Sequence, residues 1–251
     1  MAKSLNKPGS RAPALAAHWL IVCGGLAQPE FASAQLPMPG LPVPAANWVG
    51  AGQATREIAG NAMTIRQHSD KAVLNWKSFD IGRDQAVRFR QPDASSIALN
   101  RISAGTEPSR ILGRLDANGQ VYLLNPNGIV FGENARVNVN TLVATTLNVS
   151  EEALDKGLTN AINQSQGTVP VAALTGGGQV FRKDEQGRTV LGADGKPLKI
   201  AIETLPGAAL KTNAKGGRII LAAPSILTAG TISAPDGQVV LAAATDKVYL
   251  Q

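Results

Sequence analysis

The sequence holds one cysteine and two histidines in 251 residues. A metal centre of the His/Cys type needs three or four such ligands, and a disulfide framework needs paired cysteines; both are excluded. Aromatic residues are scarce: five Phe, three Trp and two Tyr. Charged residues make up 17%, below the usual quarter or so. The apolar share of 44% argues against intrinsic disorder, because disordered chains are poor in aliphatic side chains and rich in charge. Beyond residue 34 there is no apolar run long enough to span a bilayer, so no transmembrane span is expected. What is left to build with is Val, Ile, Leu and Ala, in thin layers, with 26 Gly to make many turns.

The start of the chain has its own logic. Lys3, Lys7 and Arg11 precede any acid, residues 14–27 are apolar apart from His18, and Ala32, Ser33 and Ala34 form an A-x-A site. A basic start, a short apolar run and small residues at the end mark a secretory signal peptide, residues 1–34. A buried N-terminal helix is the bland alternative. Lipid attachment at Cys23 is disfavoured, because Val22 is too bulky for the small residue wanted before it. Removing these 34 residues from 251 leaves 217. The loss of three bases and Glu30 lowers the net charge from +6 to +4. Cys23 and His18 go too, leaving His68 as the single histidine. The remaining Lys and Arg are scattered without interleaved aromatics, so nucleic acid is not an expected partner.

Residues 35–46 contain Pro37, Pro39, Pro42 and Pro44 and read as an extended, polyproline-like leader. Beyond them come short runs of alternating polarity: 63–67 (MTIRQ), 72–76 (AVLNW), 86–90 (AVRFR), 96–100 (SIALN), 120–124 (QVYLL) and 136–140 (RVNVN). Period two predicts half-buried strands, and turn formers separate them. One short helix is predicted after Ser150, with Glu151 and Glu152 in its first turn and Gly157 beyond its end.

An internal echo decides between architectures. Residues 217–224 (GRIILAAP) recur 20 residues later as 237–244 (GQVVLAAA). The same opening occurs at 119–123 (GQVYL) and 178–181 (GQVF), and Gly230 precedes another short apolar run. A period near 20 with several short strands predicts a solenoid, each repeat one turn of a coil. Ile219, Leu221, Ile232, Val239 and Leu241 would point inward and stack from turn to turn. A thin interior with little room for rings would account for the missing aromatics. A β-sandwich is the runner-up, but it requires no fixed echo. Residues 174–203 break the rhythm, with turns at 184–187 and 194–197, and read as hairpins outside the stack. Residues 247–251 (KVYLQ) read as a strand without a polar cap; the coil is expected to continue in the natural protein, unless the gene product is truncated.

Several segments, in this order, resemble a known family: 75–82 (NWKSFDIG), 87–94 (VRFRQPDA), 98–102 (ALNRI), 109–113 (SRILG), 117–121 (ANGQV), 124–132 (LNPNGIVFG) and 142–147 (LVATTL). Together with the late Gly-x-Ile/Val-x-Leu-Ala-Ala copies they resemble the TPS domain of two-partner-secretion exoproteins of the filamentous-haemagglutinin type (TpsA). Some members carry an additional Asn-Pro-Asn-Leu motif; residues 89–94 (FRQPDA) stand in that region here, which places the chain with the high-molecular-weight-adhesin branch. The resemblance implies an all-β fold, a right-handed parallel β-helix with an N-terminal cap, over residues 47–251. It also implies export to the periplasm, recognition by the POTRA domains of an outer-membrane TpsB transporter, and secretion to the surface of a Gram-negative bacterium. Passengers of this kind are adhesins, haemagglutinins, cytolysins or contact-dependent toxins, with receptors on host or neighbouring cells.

Asn125, Pro126, Asn127, Gly128 and Ile129 are the strongest local signal. Pro126 presets the second position of a turn, Asn125 can bond back to the backbone, and Gly128 tolerates positive φ. The plain reading is a coil corner that returns Ile129 to the core; the resemblance adds a role in secretion. No catalytic residue, cofactor or metal is expected. His68 stands alone at a turn, without the elbow of a Ser-His-Asp hydrolase. Asp80, Asp84 and Asp93 would be the carboxylates of a calcium-dependent β-helical polysaccharide lyase, yet each sits among turn residues where Asp is common. Residues 195–197 (GKP) lack the Ser or Thr of a phosphate-binding loop. Besides the lyase, the remaining alternative is a stand-alone adhesive, carbohydrate-binding coil.

Overall fold

The computed structural model describes residues 40–102, 107–149, 174–176, 181 and 188–248. The predicted signal peptide and the helix after Ser150 lie outside the described residues. So do residues 178–180, most of the fourth Gly-Gln-Val copy. The described residues contain strands and no helix and form a parallel β-solenoid of about six turns.

Three parallel sheets line the coil, and the chain visits them in the order B, A, C. The first turn runs from β3 (Ala62–Gln67, sheet B) to β4 (Lys71–Ser78, sheet A). The second uses β5 (Ala86–Arg90), β6 (Ile97–Ile102) and β7 (Ser109–Ile111), the last in sheet C. The third repeats this with β8 (Arg114–Ala117), β9 (Gln120–Leu124) and β10 (Ile129–Phe131). The fourth has β11 (Arg136–Val139) and β12 (Thr141–Thr145), and regains sheet C only at β15 (Ile202–Thr204). The fifth is β16 (Ala209–Thr212), β17 (Arg218–Ala223) and β18 (Ile226–Thr228); the sixth is β19 (Thr231–Ser233) and β20 (Gln238–Ala243).

Register accounts for the echo. Val121, Leu142, Ile219 and Val239 are paired in succession across sheet A, and so are Leu123, Ala144, Leu221 and Leu241. Gly119, Gly217 and Gly237 stand just before these strands. A Cβ on Gly217 would lie 2.3 Å from the Asn140 carbonyl oxygen, and one on Gly237 would lie 1.9 Å from that of Gly217. The repeated glycine is therefore a point of backbone-to-backbone approach between rungs, where any side chain would collide.

The interior is aliphatic. Leu115, Val121, Leu123, Val139, Leu142, Ile219 and Leu221 are inaccessible to solvent. Each such side chain contributes about 1.5–3 kcal/mol by leaving water. Ile219 and Leu221 point inward as expected, and Ile232 packs partly buried against the same core. Val239 and Leu241 keep the register but remain 44% and 49% exposed, because no described strand pairs with the far side of β20.

Four sequence expectations are revised. First, large rings do enter the fold: Trp76, Tyr122, Phe79 and Phe131 are among the largest fully buried side chains. Trp48, Trp76 and Phe79 stack edge-to-face at 5.7 and 5.3 Å where the coil meets a cap of two antiparallel strands, the first of which carries Trp48. These are β1 (Val43–Ala51), on β4, and β2 (Ala54–Ala59), on β3. The first of them begins inside the Pro-rich segment. Second, sheet A is buried on both faces. Its outward residues Leu99, Tyr122, Val143 and Ile220 form a second apolar cluster. It is covered by β13 (Asn148–Val149), β14 (Leu174–Thr175) and β21 (Lys247–Val248), which pair antiparallel. Third, β21 therefore leaves the coil, although residues 247–251 read as a further rung. Fourth, the insertion ends before Ile202, which belongs to sheet C. The insertion's hairpin is marked by the antiparallel bridges Phe181 to Lys199 and Leu191 to Pro197.

Candidate recognition site

Leaving sheet A at Leu124, the chain must enter sheet C at Ile129 within four residues, and residues 125–128 make that corner. The Gly128 N–H donates to the Asn125 carbonyl (3.1 Å), closing a β-turn. The Asn127 N–H donates to Asn125 Oδ1 (2.9 Å). Pro126 takes the second position, and Asn127 has no positive φ, so the turn is type I rather than type II. Gly128 has φ +111°, and a Cβ there would lie 2.7 Å from the Ala201 carbonyl oxygen.

Neighbouring rungs grip the corner from both sides. The Asn125 N–H donates to the Thr145 carbonyl (3.0 Å), the Ser109 N–H to the Gly128 carbonyl (3.0 Å) and the Ile129 N–H to the Ala201 carbonyl (3.1 Å). Asn125 Nδ2 donates to Ser109 Oγ at 3.0 Å. Asn125 and Ile129 are buried, and Pro126 is half-buried. Asn127 differs: its Nδ2 is shielded from solvent yet makes no hydrogen bond to any described residue. The Asn125 side chain is thus committed to the fold, and the Asn127 amide is not.

The other candidates are dispersed. His68 is exposed, with Nε2 3.2 Å from Thr55 Oγ1. Asp80 Oδ1 accepts the Arg110 N–H (2.7 Å), and burial pushes its carboxyl above the ordinary value. The Asp84 carbonyl accepts a hydrogen bond from Asn61. Asp93 Oδ1 accepts from the Ser95 hydroxyl, and from the N–H groups of Ser95 and Ser96, and these bonds lower its pKa. Of the three, only the Asp93 carboxylate holds its own turn, and among the described residues no three His, Cys, Asp or Glu converge on a metal position.

Other features escaped the sequence reading. Ser109 opens the family-like segment 109–113, but nothing in the sequence paired it with Asn125. Gln67 and Gln91 are buried at the corners from sheet B to sheet A. Gln91 Nε2 donates to Gln67 Oε1 and to the Ser96 and Gln120 carbonyls, and Gln91 Oε1 accepts from the Gly119 N–H. In the region of the additional family motif this chain thus carries an amide that knits three rungs. An amide directly after an alternating strand (Gln91, Asn118, Asn140, Asn213) was the available clue. Inside sheet A, Asn100 Oδ1 accepts the Trp76 indole N–H at 2.9 Å, so the one buried polar side chain of that inner column is satisfied.

The profile of the TPS secretion domain matches residues 44–251, nearly the whole described coil. The chain belongs to the TPS secretion domain family. It is a secretion domain of a TpsA-type exoprotein, and members of this family are secreted with an outer-membrane TpsB partner. Two similar relatives are heme/hemopexin-binding proteins of Haemophilus influenzae. One is 46% identical over 104 residues, covering 41% of this chain and 11% of the relative. The other is 52% identical over 90 residues, covering 36% and 10%. The chain thus spans about a tenth of the length of the relatives it matches. Among solved structures it is similar to the HMW1 secretion domain from Haemophilus influenzae. The identity there is 25% and the TM-score 0.47, covering 77% of this chain and 50% of the other.

Proposed function

We propose that this domain directs export of a surface adhesin, haemagglutinin or toxin, and that the turn Asn125–Pro126–Asn127–Gly128, with Ile129, is recognised by the POTRA domains of a TpsB transporter. The chain arrives in the periplasm unfolded, crosses the outer membrane of a Gram-negative bacterium, and coils at the surface. The observation that carries this reading is the locality of the turn. Two of its hydrogen bonds, Gly128 to Asn125 and Asn127 to the Asn125 side chain, lie inside four residues. A strand of the coil needs its neighbours before it can form; an Asx-Pro turn does not. It offers a knuckle with a free Asn127 amide while the rest of the chain is still extended. Flanking apolar segments add edge pairing with a POTRA sheet.

The test is co-expression with the partner transporter. Asn127→Ile is expected to abolish extracellular yield, and immobilised POTRA domains are expected to capture the urea-unfolded wild-type chain and not the variant. Normal secretion of Asn127→Ile overturns the role of the motif. Lost secretion with undiminished POTRA capture would assign the motif to folding alone and overturn the recognition reading.

A further inference from the structure

The outward face of sheet B carries a density of cations that the fold does not use. Arg66 is paired with Arg90, and Arg114 with Arg136, on adjacent rungs. Arg88, Asp116, Asn138 and Lys211 follow one another in the central row. Rungs lie about 4.8 Å apart, and like charges at directly paired positions destabilise a sheet. Two of these cations are compensated. Arg114 meets Asp116 at 3.6 Å, and Arg136 Nη1 donates to the carbonyls of Glu133, Ala135 and Gly207. Arg66, Arg88, Arg90 and Lys211 are exposed, and none forms a hydrogen bond or ion pair with a described side chain. The acids on this face are Asp116 and, on the cap strand, Glu57, which is paired with Thr64. A groove of about 570 Å³ runs over the face, lined by Arg88, Arg90, Arg114, Asp116, Asn118 and Asn138 among others.

We propose that this groove binds a linear acidic polysaccharide. A polymer lying along the coil axis crosses successive rungs, so anionic groups spaced along it meet Arg88 and Arg90 in the groove, with Arg66 one rung before them and Lys211 three rungs beyond. Guanidinium groups bind carboxylate and sulfate in bidentate fashion. The central Asp116 and the amide of Asn138 select among polyanions. Asp116 only accepts hydrogen bonds and repels every anion, so it favours a polymer that presents hydroxyl donors between its anionic groups, as a polysaccharide does. Among the described residues the face presents no aromatic side chain for stacking bases and no apolar side chain larger than alanine for entering a bilayer; Phe89, beneath the groove, points into the core. This activity is separate from export and belongs to the folded coil.

The experiment is titration of the full, folded chain with chondroitin sulfate and polygalacturonate, against dextran, a 20-bp DNA duplex and phosphatidylglycerol vesicles. At least one acidic polysaccharide is expected to bind, and dextran is not. The double variant Arg88→Gln/Arg90→Gln is expected to weaken binding at least tenfold, with a shallower salt dependence and an unchanged melting temperature. Arg101→Gln, on sheet A, is expected to change nothing. Failure of both acidic polysaccharides to bind, undiminished affinity in the double variant, or tighter binding of the duplex or the vesicles would overturn the proposal.

Discussion

Sheets A and B share one interior and treat their outer faces in opposite ways. Facing in, both offer aliphatic columns of the same kind: Val121, Leu142 and Ile219 in one, Leu115, Val137 and Leu210 in the other. Facing out, sheet A presents Leu99, Tyr122, Val143 and Ile220 to a small antiparallel sheet that covers them. Sheet B presents Arg88, Asn138 and Lys211 to water. A parallel sheet buried on both faces is written as a continuous apolar run, and one buried on a single face as an alternation. The contrast between QVYLL or RIILAA and AVRFR or RVNV is that rule in one molecule. Inward residues make the coil; outward residues decide which sides are available to a partner.

The largest expected effect tests the cover. Val143→Asp, on the outer face of sheet A, places a carboxylate in the covered cluster and should cost on the order of 3 kcal/mol or more. Asn138→Asp, on the outer face of sheet B, should stay within about 0.5 kcal/mol. Equal urea midpoints for the two would mean that the cover is not formed in solution. Next, Leu99→Ala and Leu123→Ala should cost about the same, about 2–5 kcal/mol each, although one side chain faces out and the other in. A much cheaper Leu99→Ala would reduce the outer cluster to a loose contact. Smaller still, Lys211→Ala should leave the melting temperature in place, since an exposed uncompensated cation contributes little to stability; a clear loss would reveal a structural use for the basic face.

A change visible only as pH falls is expected beside sheet C. Burial raises the Asp80 carboxyl above its unfolded value of 3.8, so the folded state holds its proton more tightly than the unfolded state. The penalty of the charged form is complete above the folded pKa. It is relieved as pH falls through the window from that raised value down to 3.8. Asp80→Asn should remove this contribution, so the difference in urea midpoint between wild type and variant should change across that window and stay constant above it. An unaltered pH profile would show that Asp80 is as well solvated as the charges on sheet B.

The coil was legible because its strongest signals are periodic. The copies at Gly217 and Gly237 are adjacent rungs, and the copy at Gly119 lies in the same column. The type I turn at Asn125 was legible because its chemistry is contained in four residues. The partners of that turn were not: Ser109 and Ala201 are brought to it by pairing of β7 and β15 with β10. The buried rings were misjudged because composition reports how many aromatics exist, and only packing reports that three of them gather at the cap. The run after Lys247 looked like a rung because apolar alternation cannot distinguish a strand of the stack from a strand laid across it.

By itself, then, the sequence determined that this protein coils, which residues line the bore, and where the chain turns. These properties depend on neighbours a few residues apart or on one repeated spacing. Tertiary structure alone decided what the outside of the coil is. Every outward row takes one residue from each turn, and the turns differ in length, with a long excursion between Leu142 and Ile219. Arg66 beside Arg90, Arg114 beside Arg136, and a lid over Tyr122 come into being only when hydrogen bonds between rungs set the register.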